Sequence, residues 1–430
     1  MTTFAENERL CRVGPNTPMG NVMRRYWMPA CLSSQLPNPD SDPVSVRLFG
    51  EDLIAFRDSN GKVGLLSEYC MHRGVSLLTG RVADGGIRCL YHGWKYCIDG
   101  TILETPNNPD PRFREKQKAR SYPVREAGGL VFAYLGPREK QPPFREFAFM
   151  DAQDSHRTIF RINQRANYLQ LVEQGSDSSH VGVLHSNTAR PSWMTETFTK
   201  NTDELNPAGD LGHDLAPVLE IENTEFGMHY AAFRKAHPSG HVSGERQVRV
   251  YPYVMPTIRF IPAPALMFTV FEVPMDDEHT STYIVAEGKN PLNRAYLAKM
   301  LGLDDPKFWS EETFEFTAPK STRFHQDRRR MREDWSGFPG IAVEDAVMGV
   351  SAGPIADRTQ EHLIPSDAAL VRIRRLLLES AQRVEKDGDP VGVYFEDCRP
   401  LAAPTQLIKD GQRWQDLVPQ HKRAGVQAAE

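Results

Sequence analysis

Cys70-Met71-His72 and Cys89-Leu90-Tyr91-His92 place one cysteine and one histidine in each of two short segments, with sixteen residues between His72 and Cys89. If the four side chains share one metal group, two loops must meet at it from opposite sides, and the chain around them must be short and turn-rich. Two chemistries accept such a set. Zinc binds mixed cysteine and histidine ligands. In a 2Fe–2S cluster, two imidazoles on one iron remove two negative charges and raise the reduction potential from roughly −400 mV to about −150 mV or above. Zinc knuckles favour two residues between their first ligands, so the single residue between Cys70 and His72 points to the cluster and to one-electron traffic.

The surrounding sequence predicts a small β scaffold. Leu53–Phe56 and Val63–Leu66 flank Asn60-Gly61, the pair that best tolerates positive φ in a hairpin. Leu130–Leu135 reads as a further strand between glycine-rich turns, and Pro, Lys, Glu and Arg replace apolar alternation over Gly136–Pro143, which puts a domain junction near residue 145. At 430 residues the chain has room for two or three domains. A net charge of −5 without a basic run argues against nucleic acid as a partner. The first thirty residues carry Glu6, Glu8, Arg9, Arg12, Arg24 and Arg25 and no unbroken apolar stretch, so neither a signal peptide nor a membrane span is expected there, and a cytoplasmic location is. Cys11, Cys31, Cys97 and Cys398 have no disulfide-framework spacing and read as free thiols.

Beyond residue 145 the texture changes. Residues 160–185 read as helical and 246–287 as a β meander, followed by helices over Pro291–Leu301 and Ser366–Lys386. In the last, Leu370, Ile373, Leu377, Ala381 and Val384 form one apolar stripe, with Ser366 as N-cap and Gly388 as stop. The segment from Asn167 to His185 contains Glu173, Asp177, His180 and His185. Two histidines and a carboxylate form the facial triad that holds Fe(II) in non-haem oxygenases and leaves positions open for dioxygen. Five residues on an ideal helix turn through about 500°, leaving His180 and His185 roughly 140° out of line. The helix must therefore loosen, and Gly182 is the expected place. Asp345 is the expected third ligand, with Glu344 and Asp357 as alternatives. Asp357 and Arg358 together read as a structural ion pair.

The flanks of both loops, Cys70-Met-His-Arg-Gly-Val-Ser-Leu and Cys89-Leu-Tyr-His-Gly-Trp-Lys-Tyr, resemble Rieske cluster loops. Pro18–Pro29, the Glu173–His185 segment and Gly353–Leu363 extend the likeness over nearly the whole chain. The sequence resembles the Rieske non-haem iron ring-hydroxylating oxygenases, large subunit, of the phthalate dioxygenase-like group. Leu90 departs from it, standing where many relatives have proline. The resemblance implies an α+β chain with an N-terminal all-β Rieske domain (44–145) and a C-terminal helix-grip catalytic domain with an antiparallel sheet (146–430). Residues 1–43 are expected to form a helical segment packing with the catalytic domain. It implies a Rieske 2Fe–2S cluster held by Cys70, His72, Cys89 and His92, and mononuclear Fe(II) held by His180, His185 and Asp345. It further implies a homotrimer or hexamer in which the cluster of one subunit faces the iron of its neighbour, with Asp177 bridging His92 and an iron histidine. Electrons would come from NADH through a separate reductase carrying flavin and a plant-type 2Fe–2S cluster, since no dinucleotide-binding glycine motif stands in a strand-turn-helix context.

The group takes mostly aromatic carboxylates, whose anionic head calls for a buried cation. Arg234 is the candidate anchor and Arg190 a second. The expected reaction is cis-dihydroxylation of a substituted benzoate such as 3-chlorobenzoate, or of phthalate; the alternative is a monooxygenase or O-demethylase acting on an aromatic acid. A pure electron carrier would not need His180 and His185, and a binding module would not need the cluster.

Overall fold

The computed structural model describes residues 2–108, 110–185, 214–235, 244–263, 266–332 and 335–420. The chain divides into two compact units: residues 12–145 with 273–277, and residues 1–11 with 146–272 and 278–430.

The smaller unit is built from short antiparallel strands because its sequence offers brief apolar runs between turns. Three strands, Val44–Leu48, Glu51–Arg57 and Val63–Ser67, form one sheet, and four from Arg81–Ala83 to Ile102–Glu104 form another. In the expected hairpin Arg57 stands opposite Val63. The Asp58 carboxylate closes its loop by accepting the backbone N–H groups of Asn60 (2.9 Å) and Lys62 (2.8 Å). Ile54, Phe56, Leu66, Ile87 and Tyr96 pack around Cys70, Cys89 and Trp94, so the thiols lie in the core of this unit. The N-terminal segment departs from expectation. Residues 1–11 group with the larger unit but residues 12–43 do not, because Met28–Leu32 is a strand paired with Leu130–Ala133.

The larger unit is centred on an eight-stranded sheet of antiparallel pairs. Its order is Arg157–Gln164, Thr280–Gly288, Leu266–Pro274, Ile258–Ala263, Glu245–Val254, Gly227–Lys235 and Val218–Thr224, with Thr405–Lys409 paired to Glu245–Val254. Residues 160–164 are strand rather than helix: Thr158, Ile159, Phe160 and Ile162 suit a pleated surface, and Asn167 caps the helix only at Tyr168, accepting from the Leu169 N–H at 3.1 Å. The helix expected from Pro291 begins at Arg294 under an Asn293 cap. Likewise a 3₁₀ turn occupies Pro365–Asp367, so the last long helix runs Ala368–Glu385. Phe160, Ile162, Phe268, Val270, Met300 and Val343 form the apolar core on one side of the sheet.

Two helices meet at close range in this unit. A side chain on Gly349, in the helix Ile341–Ser351, would come within 2.5 Å of Leu171 Cδ2 in the helix Tyr168–Ser176. Gln170 reaches across that contact, donating to the Gly349 and Gly353 carbonyls at 2.9 Å each. The Tyr168–Ser176 helix is further fixed by a buried ionic network. Glu173, 6% exposed, accepts from the guanidinium of Arg358 at 2.8–3.1 Å and from Arg374, which also binds Glu361 at 2.6 and 2.9 Å. Arg358 also donates to Asn7 at 3.1 Å. Burial works against the charge on Arg358, but the Glu173 carboxylate outweighs it and holds the guanidinium more firmly protonated than usual. The expected Asp357–Arg358 pair is therefore absent: Asp357 caps a short turn through the Thr359 N–H, and Arg358 belongs to Glu173.

Removing one partner from a buried ionic network leaves an uncompensated charge, which costs roughly 3–5 kcal/mol. Glu173→Ala is expected to lower unfolding free energy by about that amount in a denaturant titration. A loss below about 1 kcal/mol, the range of surface pairs, would show that the network does not carry the helix.

Candidate metal centres

The two loops of the smaller unit are shaped by their glycines and by main-chain hydrogen bonds. Cys89 N–H donates to the Trp94 carbonyl at 2.8 Å and Gly93 N–H to the Cys89 carbonyl at 3.0 Å, a turn that needs Gly93 at φ +74°. The partner loop is closed by Cys70 N–H on the Val75 carbonyl. Both thiols are 3% exposed. The rings of His72 and His92 lie 4.4 Å apart, and Nδ1 of each is buried without a hydrogen-bond partner. Two orphaned imidazole nitrogens beside two buried thiols fit the donor set of a 2Fe–2S cluster with mixed ligation. The wider environment also fits. The Tyr96 hydroxyl lies 3.1 Å from Cys70 Sγ, the N–H groups of Tyr91 and His92 point at the Cys89 sulfur, and Trp94 stacks on His72 at 4.9 Å.

In the larger unit the helix Tyr168–Ser176 stops at Asp177, which turns to extended backbone (φ −85°, ψ 115°). Its carboxylate accepts from the Ser179 N–H at 2.7 Å and the His180 N–H at 3.3 Å. The break thus falls before His180 and not at Gly182, which sits within the single turn Val181–Leu184 that His180 and His185 flank. The side chains of His180, His185 and Asp345 come together, with ligand atoms all within 4.8 Å of one another. His185 Nε2 is 3.2 Å and His180 Nε2 3.7 Å from Asp345 Oδ1. Behind them, His185 Nδ1 lies 2.7 Å from Glu344 Oε2, and His180 Nδ1 3.4 Å from Asp177 Oδ2. The His185–Glu344 contact is a hydrogen bond, the arrangement that fixes tautomer and ring orientation in metal sites, whereas His180 Nδ1 faces its carboxylate without one. Gln174 holds Asp345 by an N–H···O bond of 2.9 Å, and Ser336 donates to Glu344. Of the alternatives for the third carboxylate, Glu344 stands behind His185 and Asp357 lies elsewhere. Burial opposes charge on His185, but Asp345 and Glu344 prevail and push it up to about 10. Three carboxylates gathered about two imidazoles make a pocket that calls for a cation, and its donors suit Fe(II).

These ligands form one wall of a cavity of about 200 Å³. A cavity of about 150 Å³ already accommodates benzene. Ile162, Leu171, Phe268, Val270, Ile284 and Met300 make it largely apolar. Its polar members include Gln164, Arg249, Tyr251, Arg259, Glu272 and Thr282. Arg259 is paired to Glu272, which also accepts from Thr282, so its charge is already compensated. Arg249 lies over the Tyr251 ring at 5.3 Å. Arg234 is not among the lining residues. It is 1% exposed and donates to the Ser178 carbonyl, to Ser178 Oγ (3.1 Å) and to the Asp214 carbonyl (3.0 Å), so it braces the turn between Asp177 and His180. Arg190 lies outside the described residues. Sequence reasoning overlooked Arg249, although its strand carried a signal. Gln247, Arg249 and Tyr251 alternate with Val248 and Val250, and all five are buried, so the polar face of this strand had to meet something other than solvent.

One donor set that fits a one-electron cluster and another that fits Fe(II), on one chain, point to an iron-dependent oxidoreductase. Comparison with known proteins specifies it further. The Rieske [2Fe-2S] domain family matches residues 26–123, and the family described as LigXa C-terminal domain like matches residues 133–429. The phthalate 4,5-dioxygenase oxygenase subunit of Pseudomonas putida is 37% identical over 403 residues, spanning 91% of this chain and 89% of the relative. The 3-chlorobenzoate-3,4-dioxygenase oxygenase subunit of Comamonas testosteroni is 32% identical over 418 residues, spanning 92% and 93%. A solved structure of the reduced complex between oxygenase and ferredoxin in carbazole 1,9a-dioxygenase shares the fold, with a TM-score of 0.55 at 20% identity over 89% of this chain and 95% of that one. The chain belongs to the Rieske non-haem iron oxygenases, as an oxygenase subunit.

A hydroxyl that donates to a ligand sulfur stabilises the reduced, more negative cluster. Tyr96→Phe is expected to lower the cluster's reduction potential in a spectroelectrochemical titration without changing its visible spectrum. An unchanged potential would mean that the hydroxyl does not donate to Cys70.

Proposed function

We propose that this subunit uses dioxygen and reductase-supplied electrons to cis-dihydroxylate the ring of an aromatic carboxylate, a substituted benzoate or phthalate. The observation that carries the reading is the meeting of His180, His185 and Asp345 at the wall of an apolar cavity that also presents Arg249. Fe(II) held by those three residues would supply dioxygen activation, and the cluster held by Cys70, His72, Cys89 and His92 would supply single electrons.

The chain's own residues do the rest. Leu171, Phe268, Val270 and Ile284 exclude water from the ring and align it by contact alone. Arg249 meets the carboxylate of the substrate in place of Arg234, and its planar fork suits bidentate hydrogen bonding. Glu344 keeps the far nitrogen of His185 occupied and Asp177 faces that of His180 at 3.4 Å, which leaves Nε2 of each for the metal. Asp177 is in addition the bridge toward His92 of a neighbouring subunit in a homotrimer or hexamer. Exposed Leu90, Tyr91 and Met71 beside the cluster loops support such a covered face. Electrons reach the cluster from NADH through a separate flavin- and 2Fe–2S-containing reductase, and the ferredoxin-bound fold neighbour supports delivery by a separate protein.

Two experiments test the metal assignment and the substrate class. His180→Ala is expected to lower iron from about three to about two atoms per chain and to abolish turnover while leaving the Rieske spectrum intact. Loss of that spectrum as well would contradict the separation of the two sites. Losing a charge-assisted hydrogen-bond partner costs about 1.5–3 kcal/mol, so Arg249→Leu is expected to raise the KM for benzoates or phthalates by roughly ten- to a hundredfold. An unchanged KM would remove Arg249 from the carboxylate. In a screen of these acids under heavy-isotope dioxygen, the ring product should carry both labelled atoms. A product with one labelled atom or a lost methyl group would favour a monooxygenase or O-demethylase.

A further inference from the structure

The segment from Asp110 to Arg120, in the smaller unit, is strongly basic. Arg112, Arg114, Lys116, Lys118 and Arg120 face only Asp110 and Glu115 within it, in a chain of net charge −5. All five except half-buried Arg114 are exposed. Arg112 pairs with Asp110 at 3.0 Å, Lys118 with Asp99 at 2.8 Å and Arg120 with Glu51 at 3.0 Å. The first two are surface pairs, readily exchanged for carboxylates brought by another protein, whereas Glu51 is 10% exposed and is held by Arg24 as well.

What distinguishes this strip from a merely solvated face is the ring at its centre. Phe113, in the short helix Pro111–Glu115, is exposed, and its ring meets Trp94 edge-on at 5.6 Å. Trp94 in turn stacks on His72 at 4.9 Å with 8° between the planes. Its indole N–H is held by Asn107 Oδ1 at 2.8 Å. An unbroken line of ring contacts therefore runs from the basic surface to a cluster imidazole.

We infer that this strip is the docking surface for the electron donor, the acidic face of the reductase's plant-type 2Fe–2S domain, seated with its carboxylates on Arg112, Lys116 and Lys118 and its cluster edge over Phe113. The inference rests on the assignment of the cluster to Cys70, His72, Cys89 and His92. One electron leaves the reduced carrier, whose cluster is oxidised by one equivalent, and the cluster of this subunit is reduced by one. Complementary charge at such a rim speeds encounter and sets orientation, and salt screens it.

The test uses the intact oxygenase and a plant-type 2Fe–2S ferredoxin as probe, with binding read by surface plasmon resonance at low and high salt. The wild type should bind in a salt-sensitive way. Lys116→Glu/Lys118→Glu should weaken binding by about tenfold at low salt, with the difference vanishing at high salt. Phe113→Ala should weaken it at both. The Rieske spectrum and reduction by dithionite should be unchanged in every variant. Equal affinity of the charge-reversed variant at low salt, or salt-insensitive binding by the wild type, overturns the inference. A change in oligomeric mass on charge reversal also overturns it, because the strip is then a subunit contact. A wild type without a Rieske spectrum instead overturns the cluster assignment.

Discussion

The buried carboxylate of Glu173 is the constraint on which the larger unit's site depends. It lies between two guanidiniums, those of Arg358 and Arg374, contributed by distant parts of the chain, and a third contact links Arg358 to Asn7 near the N-terminus. One turn further along the same helix stands Asp177, and just beyond it His180 and His185. Charges taken out of water in this way tolerate little displacement, since each depends on the others for compensation. The helix end is therefore fixed before any metal or substrate is considered. The close contact at Gly349 then sets the Ile341–Ser351 helix beside it, which brings Asp345 to Gln174 and to the two histidines.

Orientation of imidazoles is the second theme, and the two metal sites solve it differently. In the larger unit carboxylates do it: Glu344 is hydrogen-bonded to the far nitrogen of His185, and Asp177 faces that of His180 at 3.4 Å. In the smaller unit packing does it, with Trp94 stacked on His72 and His72 set nearly edge-on to His92. The contrast follows from charge. A divalent ion gains from nearby carboxylates, whereas a cluster whose potential depends on shedding negative charge is better served by rings and N–H or O–H donors such as Tyr96.

Much of this was legible in the sequence because it is local. Cysteine and histidine spacing announces the cluster loops, and the hairpin at Asn60-Gly61 follows from turn chemistry. His180 and His185 needed only a neighbouring break. What could not be read was long-range. Whether Arg358 pairs with Asp357 or with Glu173 is decided by helix packing, and adjacency along the chain pointed the wrong way. Arg234 and Arg249 are both buried on neighbouring strands, and only the sheet shows that one braces the Ser178 carbonyl while the other lines the cavity. Residues 160–164 read as the start of a helix but end the strand Arg157–Gln164, because a short run this close to a helix is one that period alone cannot separate.

The proposed chemistry requires one chain to hold a cluster at Cys70, His72, Cys89 and His92 and a separate iron at His180, His185 and Asp345. Anomalous scattering at the iron edge from crystals of the iron-loaded protein tests it most directly. A two-iron peak is expected between the loops of the smaller unit and a single peak within bonding distance of both Nε2 atoms and Asp345, with Glu344 still on His185 Nδ1. A second peak absent from that triad, or bound by Glu344 with Asp345 turned away, would contradict it.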